Sequence, residues 1–218
     1  MRRASPSPSL YGSPAADCPL CPRLAAFRAA NAAAQPAWHN APVPSFGGAD
    51  AALLIVGLAP GLRGANATGR PFTGDYAGAL LYPTLLKFGF AKGDYGARPD
   101  DGLRLVAARI TNAVRCVPPQ NKPTGPEIKA CAPFLDAEIA AMKRLRCIVT
   151  LGNIAHGAVR KALGLKVKEA PFGHGAECRA KDIHVIASYH CSRLNTNTGR
   201  LTPAMFEDIF ARARTVTG

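Results

Sequence analysis

Residues 57–75 read GLAPGLRGANATGRPFTGD and directly follow an apolar run at 51–56, AALLIV, that has the make-up of a buried strand. Gly57, Gly61, Gly64 and Gly69, with Pro60 and Pro71, carry the chain out of that strand into a long shaped loop instead of straight into a helix. An irregular stretch of this length inside a compact chain usually has a function. The strand-end glycines let backbone N–H groups approach a ligand, and the far end of the loop presents an aromatic ring, Phe72, and a carboxylate, Asp75. No Gly-Lys-Ser/Thr follows and the spacing is not G-x-G-x-x-G, so the stretch is neither a phosphate loop nor a dinucleotide fingerprint.

Reading outward, the same strand-then-loop pattern recurs. An alanine-rich helix is expected over 23–34, then a proline-punctuated connector over 36–48 that holds the only tryptophan, Trp38. Beyond the loop, 77–88 has helical spacing, with Leu80, Leu81, Leu85 and Phe88 on one face and Pro83 expected to kink or cut it. A second strand region at 103–114 enters a loop at 115–122. Thr124 and Glu127 form a capping box that opens a helix to about 143. A third strand at 147–151 turns at Gly152 into a helix ending near 163, and a fourth at 182–188 runs into a loop at 189–200. Thr202 and Pro203 start the last helix, which buries Phe206, Ile209 and Phe210.

Strands separated by helices predict an α/β fold of three layers, α/β/α, around a central, mainly parallel four-stranded sheet. Ligands in such sheets sit beyond the carboxyl ends of the strands, so segments 57–75, 111–122, 152–156 and 189–200 are expected to converge. The length of 218 residues and the 48% hydrophobic content suit one domain over 17–218, behind a Ser/Pro/Ala-rich tail at 1–16 expected to be disordered. Lys and Arg number 27 against 14 Asp and Glu, a net charge of +13 that favours a polyanionic partner, nucleic acid first. No apolar stretch is long enough to cross a membrane and the first residues lack a signal-peptide core, so a cytoplasmic protein is expected, without a membrane partner. Seven cysteines in that compartment point to metal ligation, catalysis or burial, not to disulfides.

The convergent loops offer Phe72, Asp75, Asn112, His190, Ser192, Arg193 and Asn195. An Asn at a strand end can donate and accept along the edge of a base. A histidine can hold a developing oxyanion, and a carboxylate can stabilise an oxocarbenium ion or orient water on a sugar. Together they suit cleavage between a sugar and a planar, anionic leaving group. Cys18 and Cys21 form C-x2-C, and Cys116 and Cys131 follow far downstream; four thiolates suit a tetrahedral zinc or an iron–sulfur cluster, and the spacing leaves both open. Of the rest, Cys147 is expected to be a buried strand residue and Cys178 to lie on a loop.

GLAPG at 57–61, GAN at 64–66 and TGRPFTGD at 68–75, then TNAVRC at 111–116, NKPT at 121–124, LGNIAH at 151–156 and YHCSRLNTNTGRL at 189–201, together resemble the family 5, or type B, uracil-DNA glycosylases. The resemblance implies a uracil-DNA glycosylase-like fold and a monofunctional, monomeric enzyme without lyase activity. It would hydrolyse the N-glycosidic bond of uracil in DNA and leave an abasic site, with hypoxanthine or xanthine as further substrates. It implies Asp75 and His190 as catalytic residues, with Gly57, Ala59, Gly61, Phe72 and Asn112 binding the substrate. Ala59 stands where other glycosylase families carry an Asp or Asn that acts on water. Phe72 would stack on the flipped base, Asn112 would face its polar edge, and Leu194 would fill the gap in the duplex. Ser192, Arg193 and Arg200, with Arg63 and Arg70, would grip phosphates. The resemblance also implies a [4Fe–4S] cluster on Cys18, Cys21, Cys116 and Cys131, with zinc as the alternative.

The sequence departs from the family where His-Pro-Ser has become His190-Cys191-Ser192, which removes a fixed φ and adds a thiol. A His190/Cys191 nucleophilic dyad is disfavoured because adjacent residues on an extended chain point opposite ways. The competing functional reading is a protein of this fold that binds uracil-containing DNA with little or no turnover.

Overall fold

Leu53 to Val56 form a strand buried on both faces, because helices cover both sides of the sheet it enters. The structure, a computed structural model, describes residues 13–218; the part of the expected tail at 1–12 lies outside the described residues. The strand β1 (Leu53–Gly57) combines with β4 (Ala108–Asn112), β5 (Cys147–Leu151), β6 (Glu177–Ala180) and β7 (Ile183–Ser188) in the spatial order β4-β1-β5-β7-β6. The pairs β1/β4, β1/β5 and β5/β7 are parallel. Gly57 lies beside Asn112 and Leu151 beside Ser188, so the four parallel strands end along one edge.

Successive side chains on these strands go to opposite layers. Leu53, Ile55, Val149 and Ile186 pack against α3 (Tyr76–Lys87) and α7 (Pro203–Thr217) through Leu81, Leu85, Phe206 and Phe210. Leu54, Val56, Ile148 and Val185 pack against α4 (Gly125–Ala141) and α5 (Asn153–Ala162) through Leu135 and Val159. The remaining elements are α1 (Pro22–Ala34), α2 (Ala65–Thr68), α6 (Arg193–Asn197), a 3-10 turn at Pro119–Asn121 and a two-stranded ribbon of β2 (Ala91–Lys92) and β3 (Arg104–Leu105). Among the described residues no helix is long and apolar enough to cross a membrane.

The sheet has five strands instead of four. The additional one, β6, reads ECRA, alternates exposed with half-buried residues and pairs antiparallel with β7 at the edge, so it carries no apolar run to reveal it. Cys178, expected on a loop, lies in this strand opposite Val185. The expected strand at 103–114 is two: Arg104–Leu105 pairs with β2, and Ala107, in the left-handed region at φ 49°, turns the chain before β4 begins. The helix α3 runs through Pro83; the carbonyl that proline cannot serve is that of Ala79, an exposed residue. The capping box forms as expected, with the Thr124 N–H donating to Glu127 Oε2 at 2.7 Å.

Beneath the α4 face, buried Glu138 accepts from Arg109 Nε at 2.6 Å and from Arg115 Nη2, while Arg115 Nη1 donates to Ser45 Oγ at 2.7 Å. Glu138→Ala would leave two guanidinium groups buried without their carboxylate. It is expected to lower stability by about 3–5 kcal/mol, measured as a lower denaturant midpoint at constant m-value.

Candidate active site

Gly57 ends β1 where the loop at 57–75 folds back over it. A Cβ at this position would lie 2.5 Å from Phe72 Cζ and against Asn112 Oδ1, so only glycine allows the ring and the amide to close on the strand end. Phe72 itself is buried with φ 54°, a conformation that costs a bulky residue roughly 1–3 kcal/mol. Tyr95 Oη donates to the Phe72 carbonyl at 3.2 Å, and Tyr95 stacks on Tyr82 with ring centroids 4.5 Å apart. Arg70 lies over the Tyr82 ring at 5.4 Å, donates to Thr73 Oγ1 at 2.7 Å and pairs with both Asp101 oxygens at 2.7 and 2.8 Å. Arg70, expected on a phosphate, is instead buried and holds the loop that carries Phe72, and it keeps the Asp101 carboxyl well below the usual range.

Asp75 caps the N-terminus of α3, its Oδ1 accepting from the Gly78 N–H at 3.0 Å. The other carboxylate oxygen lies over the glycines of the loop: a Cβ at Gly61 would stand 3.5 Å from Oδ2 and one at Gly64 only 2.7 Å. Burial raises the Asp75 pKa, and the Gly78 and Ala77 N–H groups act against that rise. His190 follows β7, with its ring 6.3 Å from Phe72 and tilted by 33°. Its carbonyl accepts from Asn195 Nδ2 at 2.8 Å, which ties it to α6. Burial lowers the His190 pKa and so favours the neutral ring. Asn112 is buried at the end of β4, and among the described residues its Oδ1 has no hydrogen-bond partner, an unmet acceptor of the kind that a ligand donor satisfies.

Phe72, Asp75, Asn112 and His190 open onto one cavity of about 340 Å³, in the size range of small-molecule sites. Ala59, Gly61, Ser192 and Arg193 line it too, and Gly57 stands behind the wall that Asn112 and Phe72 make. Leu194 and Arg200 lie outside it. Leu194 projects from α6 and is 72% exposed, and the Arg200 guanidinium sits 4.6 Å from the Tyr189 ring centroid. Ser192 caps α6, accepting from the Asn195 N–H at 3.4 Å, within a segment expected to be loop. Two polar lining residues, Tyr76 and Asn121, are not among the expected site residues. Tyr76 carries the Arg193 guanidinium over its ring at 5.1 Å and accepts from Thr196 Oγ1 at 3.0 Å; adjacency to Asp75 was its only signal. Cys191 is fully buried in the core and burial pushes its thiol far up, which rules against a nucleophilic dyad with His190.

The second cluster of chemistry lies behind this cavity. Cys18, Cys21, Cys116 and Cys131 line one small apolar space with Leu24 and Val114, brought there by the start of α1, the end of β4 and the first turns of α4. The Arg115 N–H donates to Cys131 Sγ at 3.4 Å, and Arg28 Nη1 donates to Cys116 Sγ at 3.4 Å. Burial pushes Cys21, Cys116 and Cys131 up to about 11. Among the described residues no three His, Cys, Asp or Glu side chains converge as a site for a single metal ion. Cys147 is a buried strand residue, as expected.

The cavity combines a stacking face, an amide edge, an imidazole and a carboxylate, a set of groups that suits a flat heterocycle joined to a sugar. Residues 44–214 match the family model described as the uracil DNA glycosylase superfamily. The chain is 44% identical over 208 residues to the type-5 uracil-DNA glycosylase of Thermus thermophilus, covering 92% of this chain and 94% of that one. It is 39% identical over 206 residues to the type-5 enzyme of Pyrobaculum aerophilum, covering 93% and 90%. A type-4 uracil-DNA glycosylase of Pyrobaculum aerophilum is 36% identical over 128 residues, covering 58% and 57%.

Proposed function

This chain belongs to the uracil DNA glycosylase superfamily, among its type-5 members, and from that premise we infer how its cavity works. The protein is a DNA-repair hydrolase that excises uracil from DNA by cutting the N-glycosidic bond, and it leaves an abasic site. Nothing favours the non-catalytic alternative. The observation that carries the mechanism is the opening of Phe72, Asn112, His190 and Asp75 onto one cavity, with the Asn112 oxygen unsatisfied.

The flipped uracil stacks on Phe72 and gives its ring N–H to Asn112 Oδ1. Cleavage is dissociative: the C–N electron pair leaves with the base, and the charge that develops on the base oxygen is met by the neutral His190 ring as a hydrogen-bond donor. The Asp75 carboxylate stabilises the sugar oxocarbenium ion and aligns the water that adds to it. No activated side-chain nucleophile is needed. Ala59 and Gly61 leave room over the carboxylate, and Asn112 can reorient its amide toward hypoxanthine or xanthine. Ser192, Arg193 and Arg200 contact phosphates, and Leu194 enters the duplex. The protein acts as a monomer with a single catalytic domain over 17–218, in the cytoplasm.

Cys18, Cys21, Cys116 and Cys131 would hold a [4Fe–4S] cluster, which would tie α1 to the segment after β4 and to α4. The fit rests on four sulfurs around one small space and on N–H donors aimed at two of them. When bound, the cluster supplies cross-linking of the N-terminal helix, away from the scissile bond.

The test is incubation with a duplex carrying one uracil, followed by alkali and a search for strand scission. Scission is expected with the wild-type protein; its absence at protein excess would overturn the assignment. Leu194→Gly is expected to slow excision from a duplex by about 1–2 orders of magnitude, the worth of a lost wedge against a few kcal/mol of unstacking. Its rate on a single-stranded uracil oligonucleotide should stay near that of the wild type. Equal losses on both substrates would remove Leu194 from the wedge role.

A further inference from the structure

Arg28 lies in α1 with 9% of its surface exposed, and among the described residues it has no carboxylate partner. The other buried arginines, Arg70, Arg109 and Arg115, each have one. Burying an unpaired charge is costly, so a counter-charge is needed nearby. The Arg28 head group reaches two of the four cysteines: Nη1 donates to Cys116 Sγ at 3.4 Å, and Nη2 to the Cys18 carbonyl at 3.2 Å. Across the same space, Arg115 donates its backbone N–H to Cys131 Sγ and shares the single Glu138 carboxylate with Arg109. Glu127, beside Cys21, is already paired with Arg23 at 2.8 Å. Arg28 therefore brings to the cavity wall a positive charge that four neutral thiols would leave unbalanced and thiolates on a metal centre would offset.

We propose that Arg28 is the resident counter-cation and a positioning residue of the four-cysteine centre: one arm of the guanidinium orients the Cys18 backbone, the other donates to the Cys116 sulfur, and the charge offsets that of the thiolates. The proposal rests on the cluster reading above. It assigns α1 a purpose that helix packing alone does not, and it predicts a dependence of the centre's potential on a residue that need not bind iron. A cation beside the cluster stabilises the reduced, more negative form more than the oxidised one, so losing it moves the reduction potential down.

The test compares wild type, Arg28→Met and Arg28→Lys, purified without oxygen, for iron and acid-labile sulfide, for the rate of iron loss to a chelator and for the potential in a dye-mediated titration. The wild type is expected to carry iron and sulfide. Arg28→Met should lose iron on the order of tenfold faster and show a more negative potential. Arg28→Lys keeps the charge but not the forked donor, so its potential should stay near that of the wild type while iron loss quickens. If Arg28→Met does not fold, the lysine variant decides: iron loss at the wild-type rate would overturn the proposal. A loaded wild type with Arg28→Met unchanged in both release and potential would overturn it as well. Wild-type protein without iron or sulfide would instead overturn the cluster reading on which it rests.

Discussion

Asp75→Asn is expected to reduce single-turnover excision of uracil by about 10²–10³-fold, the usual loss when one preorganised electrostatic group at a transition state is removed. The substitution separates two roles that alanine would mix. Asn is as good an N-cap as Asp, so the bond to the Gly78 N–H and the start of α3 survive. The sign of the stability change is opposite to that of the activity change. Burial raises the Asp75 pKa in the folded protein above its unfolded value, so between the two values the native state holds the extra proton. Stability then falls as pH rises through that window, and at neutral pH the ionised group costs stability. Asp75→Asn should therefore keep or raise the melting temperature while removing most of the activity. The same shift moves the acid limb of the wild-type pH–rate profile upward from that of an ordinary aspartate. A variant that melts much earlier and loses activity only in proportion would show that Asp75 is a cap and no more.

Gly57→Ala is expected to lower uracil kcat/KM by about a hundredfold, comparable with other misplacements of roughly an ångström in a reacting site. The added methyl meets Phe72 Cζ at 2.5 Å and the Asn112 amide at once. Neither can yield easily: Asn112 is buried at the end of β4, paired in register with Gly57, and Phe72 is held in a left-handed conformation by the Tyr95 bond to its carbonyl. The stacking face and the edge reader are thus displaced together. The loss should fall on excision while the far-UV spectrum stays native, and free uracil should no longer inhibit. Wild-type kinetics in Gly57→Ala would mean that the base does not bind between these two side chains.

Most of the layered fold was legible along the chain, because the parallel strands are short apolar runs bounded by glycine and proline, and the helices carry caps such as Thr124 with Glu127 and Thr202 with Pro203. The edge strand β6 was not, since half of ECRA faces solvent and an edge needs no continuous apolar run. The convergence of Phe72, Asp75, Asn112 and His190 on one cavity was legible because each lies on a segment that follows a parallel strand, and those segments share one edge of the sheet. Tyr76 was not, because nothing in its local sequence tells a rim aromatic from a core one.

The sequence by itself determined which chemical groups leave which strands: Phe72 and Asp75 after the first, Asn112 after the second, His190 after the last, and two cysteines at each of two distant places. Only the tertiary structure decided how those groups are charged and partnered. Arg70 is bound to Asp101 across 31 positions and Arg28 stands on Cys116 across 88, while the Asn112 oxygen finds no hydrogen-bond partner among the described residues. The physical reason is that strand and turn signals act over a few neighbouring residues, whereas desolvation and ion pairing depend on which distant segments the packed core brings within a few ångströms of each other.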